Sequence, residues 1–149
     1  MSERKKTFVN LDNARLPEQR RVMEDIEDNQ ECPFCPEYLE KYHKEEILRK
    51  GAHWILTRNQ WPYKNTDTHL LAIAAYHAEK LSDLQEGSFD ELQQHMVWAE
   101  DEYKIIAGGI AMRFGDTSRN GATVRHLHAH LIVPSLDKSD DEKVKFNIG

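Results

Sequence analysis

His126-Leu127-His128-Ala129-His130-Leu131-Ile132 alternates imidazole and apolar side chains without a break. Successive side chains of a strand point to opposite faces, so the segment predicts a strand from about Thr123 to Val133. Its imidazoles share one face, while Leu127, Ala129 and Leu131 enter a core. Gly121-Ala122-Thr123 leads in from a turn that starts at Asp116, and Pro134 stops the hydrogen-bond ladder. One histidine on a half-exposed sheet face is ordinary. Three in register point to proton, metal or phosphate chemistry.

The surrounding segments fit a sheet. His69-Leu70-Leu71-Ala72-Ile73-Ala74-Ala75 is an apolar run of strand length and predicts a central strand. His53 to Thr57 predicts another, left through the loop Asn59-Gln60-Trp61-Pro62. Ile110, Met112 and Phe114 alternate with Ala111 and Arg113 and predict a further strand. Val144, Phe146 and Ile148 alternate in the tail and predict an edge strand. Between them, Ser88-Phe89-Asp90-Glu91 matches a capping box. Leu92, Met96, Ala99, Tyr103 and Ile106 follow at helical spacing, and Gly108-Gly109 offers a left-handed stop, so a helix is expected from Ser88 to Ala107. Pro17 opens a shorter helix to about Asp28 with Val22, Met23 and Ile26 as its stripe. The sum is an α+β domain, an antiparallel sheet covered by a long helix.

With 149 residues the chain allows one ordinary domain. A net charge of −6 argues against sequence-independent binding to a nucleic-acid backbone. No apolar run approaches the ~20 residues that cross a bilayer. Met1 to Lys6 is not followed by an apolar signal core, so a cytoplasmic location is expected, with no membrane partner.

The chemistry of the histidine strand divides two ways. His126, His128 and His130 are candidate ligands of a reactive metal, as in a metal-dependent hydrolase, but no acidic residue within five positions completes such a site. Alternatively one histidine is a nucleophile and its neighbours bind phosphate. A non-catalytic module that uses the same pocket for binding alone is a further alternative. Cys32-Pro33-Phe34-Cys35-Pro36 is equally open: a redox dithiol, two free thiols, or half of a structural zinc site completed by histidines.

Gly121 to Ile132, with its Gly-x-Thr lead and His-φ-His-φ-His-φ-φ pattern (φ apolar), resembles the signature of the histidine-triad (HIT) family. His69 to His77 is similar to that family's buried strand, and Asn59 with Pro62 to its nucleoside-binding loop. The resemblance spans roughly residues 32–135. It implies a five-stranded antiparallel HIT-like sheet for residues 32–149, with residues 1–31 as an extra N-terminal helical arm, all within a single domain. It also implies a nucleotide hydrolase or nucleotidyl transferase acting at an α-phosphate of a dinucleoside polyphosphate, nucleoside phosphoramidate or similar substrate. His128 would be the nucleophile and form a nucleotidyl-histidine intermediate. His130, His69 and Thr123 would hold phosphate oxygens, and Asn59 the ribose, unless Asn59 is a turn residue. Cys32, Cys35, His77 and His126 would bind a structural zinc, and no organic cofactor is implied. A homodimer is implied too, with Trp98 and Ile105 of the long helix as candidate interface residues. The sequence departs from the family pattern at Ala74-Ala75, where Pro-Lys is usual, and at Gly115, where some branches carry a phosphate-side asparagine.

Overall fold

The computed structural model describes residues 7–136 and 143–149. Five strands form one antiparallel sheet: β1 (Ile47–Lys50), β2 (Trp54–Arg58), β3 (Thr66–Ala74), β4 (Gly109–Met112) and β5 (His128–Pro134). Their spatial order is β1-β2-β3-β5-β4. The helices are α1 (Pro17–Asn29), α2 (Leu39–Tyr42), α3 (Ser88–Glu102) and α4 (Thr117–Asn120). The expected α+β architecture is present, with the long helix and the N-terminal helical arm. No helix among the described residues is long and apolar enough to cross a membrane.

Strand periodicity sorts the side chains. In the β3–β5 register, Leu70 pairs with Leu131 and Ala72 with Ala129, and these face α3. There they pack with Trp54, Leu56 and Leu127 against Leu92, Met96 and Ala99. The Trp54 indole N–H donates to the Ser88 carbonyl at 2.7 Å, which fixes the start of the helix on the sheet. Leu71 pairs with His130 and Ile73 with His128, so the imidazoles lie on the opposite face. That face is covered too. Ile55, Leu71 and Ile73 pack with Phe34 and Leu39, and beyond them the arm forms its own cluster of Val9, Met23 and Ile26 with Val22, Tyr42 and Val124.

The arm is bound to the turn that leads into the histidines. Val9 bridges Val124, and the Arg125 N–H donates to the Phe8 carbonyl at 2.7 Å. The Asn13 amide donates to the carbonyls of Thr117 and Ala122, at 3.0 and 2.7 Å. Both carbonyls belong to or follow α4, so two segments about a hundred residues apart in sequence are held as one unit.

Several expectations are corrected. α3 ends at Glu102, not Ala107, because Lys104 takes the left-handed conformation (φ 53°) and Ile105 N–H closes onto the Glu100 carbonyl. Ile106 therefore leaves the helical stripe and is 98% exposed, whereas Trp98 and Ile105 pack against the core. The capping box does not form. Gly87 caps the helix, and the Glu91 carboxylate instead accepts from the backbone N–H groups of His53 and Trp54, at 2.7 to 3.1 Å. β5 begins at His128, so His126 lies in the loop before the ladder. The fifth strand is β1, not the tail: residues 143–149 form no strand.

Candidate active site and metal centre

Cys32, Cys35, His77 and His126 come together from three loops. Their ligand atoms all lie within 4.8 Å of one another. The cysteines occupy the turn between α1 and α2, His77 follows β3, and His126 precedes β5. Two backbone bonds tie the histidine loops together: Leu127 N–H to the Ala78 carbonyl (2.7 Å) and Ala74 N–H to the Leu127 carbonyl (3.0 Å). The His126 Nδ1 lies 3.4 Å from Cys32 Sγ and 3.7 Å from Cys35 Sγ, and the His77 Nδ1 lies 3.2 Å from Cys35 Sγ. Ligands on a tetrahedral zinc, with bonds of ~2.3 Å to sulfur and ~2.0 Å to nitrogen, stand ~3.6 Å apart. The four residues fit that geometry.

The opposite ring nitrogens support it. The His126 Nε2–H donates to the Ala74 carbonyl at 2.8 Å, and the His77 Nε2 meets the Glu79 carboxylate at 2.9 Å. Each contact leaves Nδ1 as the free ligand atom facing the sulfurs, the outer support common to metal-binding histidines. Glu79 was not anticipated from sequence, where an acid two positions beyond a histidine carries no signal of its own. Both cysteines are buried, neither is in a disulfide, and burial pushes the Cys32 thiol up. A bound cation offsets that cost by holding the thiolate.

A cavity of about 290 Å³ is lined among others by Asn59, Thr123, His128 and His130. The hydrogen bonds assign the tautomers here. His128 Nδ1–H donates to the His126 carbonyl at 2.7 Å, so its Nε2 keeps the lone pair and has no partner among the described residues. His69 Nδ1 accepts from the Tyr63 N–H at 3.1 Å, so its Nε2–H donates to His130 Nδ1 at 2.8 Å. His130 then carries its proton on Nε2, a buried donor with no partner. The cavity thus receives one nucleophilic nitrogen and one unpaired N–H. Burial pulls His69 and His128 down to about 4 and His130 well below its ordinary value, so all are neutral at pH 7.

Thr123 lies half-buried at the cavity wall, and its hydroxyl has no partner among the described residues. Asn59 does what a turn residue does: its Oδ1 accepts the Trp61 N–H at 2.8 Å, and its amide nitrogen lies against the His69 ring. His126 turns away to the cysteines. Among the described residues, His128 and His130 belong to no metal-competent cluster, so the three imidazoles do not converge on one ion.

Sequence reading missed three further residues of this cavity. Tyr63 stacks on His130 (centroids 5.6 Å apart, planes at 19°), and Arg15 and Arg113 flank it. They come from separate loops, and only the fold brings them together. Of the remaining histidines, His43 lines the cavity with its Nε2 on the Thr57 hydroxyl, while His53 meets Tyr76 and His95 meets Glu91 away from it.

No protein-family model matches the chain, and no curated protein matches it. Solved structures do. A hypothetical protein from Leishmania major aligns with a TM-score of 0.60 at 18% identity, over 79% of this chain and 82% of that one. A zinc-bound histidine triad family protein from Mycobacterium smegmatis aligns with a TM-score of 0.55 at 21% identity, over 79% and 82%. Diadenosine triphosphate hydrolase from Plasmodium falciparum, in complex with cyclomarin A, aligns with a TM-score of 0.52 at 20% identity, over 64% and 65%. The chain has the histidine-triad fold.

The neutral imidazoles have a measurable consequence. His69 and His130 resist protonation in the fold but accept a proton near pH 6.5 once unfolded, so the unfolded state binds more protons as pH falls. The urea midpoint should drop steadily from pH 6.5 to about 4. Replacing His69 with Gln should flatten that drop.

Proposed function

We propose that the chain is a nucleotide hydrolase or nucleotidyl transferase that cleaves at an α-phosphate through a covalent intermediate on His128. The observation that carries this is the His128 ring: its Nδ1–H is held by the His126 carbonyl, which presents a neutral Nε2 lone pair to the cavity. The similarity in fold to a diadenosine triphosphate hydrolase supports a nucleotide substrate.

In the first step His128 Nε2 attacks the α-phosphorus. The N–P bond forms as the bond to the leaving group breaks, and that group takes the electron pair. His130 Nε2–H and the Thr123 hydroxyl donate to the non-bridging oxygens, whose charge grows in the transition state. His69 sits behind His130 and fixes its tautomer, a positioning role. In the second step an acceptor, water or phosphate, attacks the phosphorus, the N–P bond breaks with its pair returning to His128, and an attacking water gives its proton up to solvent. No separate base is needed for the first step, because the nucleophile is already neutral. A non-catalytic nucleotide-binding module has no use for a buried imidazole held in the nucleophilic tautomer.

Cys32, Cys35, His77 and His126 would hold a structural zinc, whose service is to fix the His126 loop. The similarity in fold to a zinc-bound protein supports this, and paired thiols of this kind suit a reducing compartment such as the cytoplasm. The second copy in a homodimer would still meet the 88–107 segment, through its exposed residues rather than through Trp98 and Ile105, which pack on the core. β4 is an edge strand whose outer side has no partner among the described residues. Beside it Phe89, Val97, Ile106 and Ile110 are exposed by 55% or more. An apolar sheet edge of this kind invites pairing.

His128→Ala should cut turnover on a nucleotide substrate by about 10³-fold or more, and loss of nucleotide affinity should stay within about tenfold. Steady-state rates and calorimetry check both. Metal analysis should find about one zinc per chain, and Cys32→Ser with Cys35→Ser should remove it and lower the melting temperature. Light scattering should give twice the 17.4 kDa chain mass for the wild type and a single chain for Ile110→Glu, since a charge in a dry strand pairing is costly.

A further inference from the structure

The cavity has two ends of different character. His128 meets Phe34 edge-on at 5.1 Å, and on that side Leu71 and the arm residues Val22, Met23 and Ile26 give an apolar lining. His130 instead meets Tyr63 and Phe146, and this end carries the guanidiniums of Arg15 and Arg113. The Arg15 guanidinium lies over the Tyr63 ring, 4.5 Å from its centroid, and Nη2 donates to the Trp61 carbonyl at 2.6 Å. The Arg113 terminal nitrogens each lie 3.4 Å from the Tyr63 hydroxyl, and Nε donates to the Asn147 carbonyl at 2.7 Å.

Neither guanidinium has a carboxylate within 4.0 Å among the described residues. Among the described residues Asp12 is the one acidic side chain lining the cavity, and it pairs with neither guanidinium. One cation lies over the Tyr63 ring and the other at its hydroxyl, so the two repel each other, and among the described residues no side-chain carboxylate neutralises either. The arrangement is also held in place. Gln19, buried in α1, accepts the Arg15 N–H at 2.8 Å, and the Asn13 amide fixes the arm to the turn before the histidines.

We propose that Arg15 and Arg113 form a clamp for the phosphate of an anionic leaving group, so that the site prefers phosphoanhydride to phosphoramidate substrates. This rests on the nucleotidyl-transfer reading above and names its substrate class. The chemistry of departure selects between the two classes. When the P–O bond of an anhydride breaks, the electron pair stays on a phosphate oxygen, and the added negative charge needs a counter-charge. When a P–N bond breaks, the amine needs a proton. A guanidinium supplies the first and not the second, because it stays protonated in proteins. The N-terminal arm is therefore part of the active site, since it contributes Arg15.

The test compares diadenosine triphosphate with adenosine 5′-phosphoramidate as substrates of the full chain. The wild type should favour the anhydride in kcat/KM. Arg15→Ala and Arg113→Ala should each lower the anhydride-to-amidate ratio about tenfold or more, the loss expected for a charge-assisted bond, and Arg→Lys should restore part of it. A second arm reads binding without turnover: inorganic tripolyphosphate should bind the wild type and lose about tenfold or more in either alanine variant. Thermal melts confirm that the variants fold. An unchanged ratio in both variants, or tripolyphosphate binding that ignores both substitutions, overturns the clamp. A wild type that cleaves neither substrate overturns the nucleotidyl-transfer reading instead, and the tripolyphosphate arm then decides the clamp alone.

Discussion

His126 is the residue on which the site depends, because its groups point three ways. Its Nδ1 faces the two cysteines, its Nε2–H donates to the Ala74 carbonyl at the end of β3, and its own carbonyl accepts the His128 Nδ1–H. The last bond sets the tautomer of His128. The first two fix the backbone that offers the bond. Loss of that bond would let His128 exchange tautomers and lose its free Nε2. The cluster of Cys32, Cys35, His77 and His126 thus stands one bond from the His128 ring, so whatever steadies that loop also steadies the His128 tautomer.

The same logic extends to the buried histidines on β3 and β5. His69 is oriented by a backbone N–H and in turn orients His130, so the tautomer of His130 is relayed from the Tyr63 peptide through one ring. Burial keeps the relay neutral, which lets His130 donate without adding a full positive charge. The charge at this end of the cavity comes instead from Arg15 and Arg113. Arginine suits that task because its proton stays on at any working pH.

Much of this was legible in the sequence because strand periodicity is a strict rule. The alternation at 126–132 put His128 and His130 opposite Ala129 and Leu131, and the β3–β5 register agrees. Other features were hidden for identifiable reasons. Gly108-Gly109 is a plausible helix stop, but Lys104 takes the left-handed cap first and leaves Ile106 in solvent. β1 has no alternation to read: its burial is nearly even along Ile47–Lys50. The tail alternates and still forms no strand, for Phe146 packs on His130 and Tyr63 instead. Arg15, Tyr63 and Arg113 stand 48 and 50 residues apart and meet only through the fold. No local pattern encodes such a meeting.

The stereochemical course at phosphorus tests the covalent account most directly. A substrate made chiral at the α-phosphorus with sulfur and oxygen isotopes, cleaved by the wild type, reports how many in-line displacements occur. Two displacements, one by His128 and one by the acceptor, give net retention of configuration, which is the predicted result. Net inversion would mean that water attacks the substrate directly, and it would contradict a nucleotidyl-histidine intermediate.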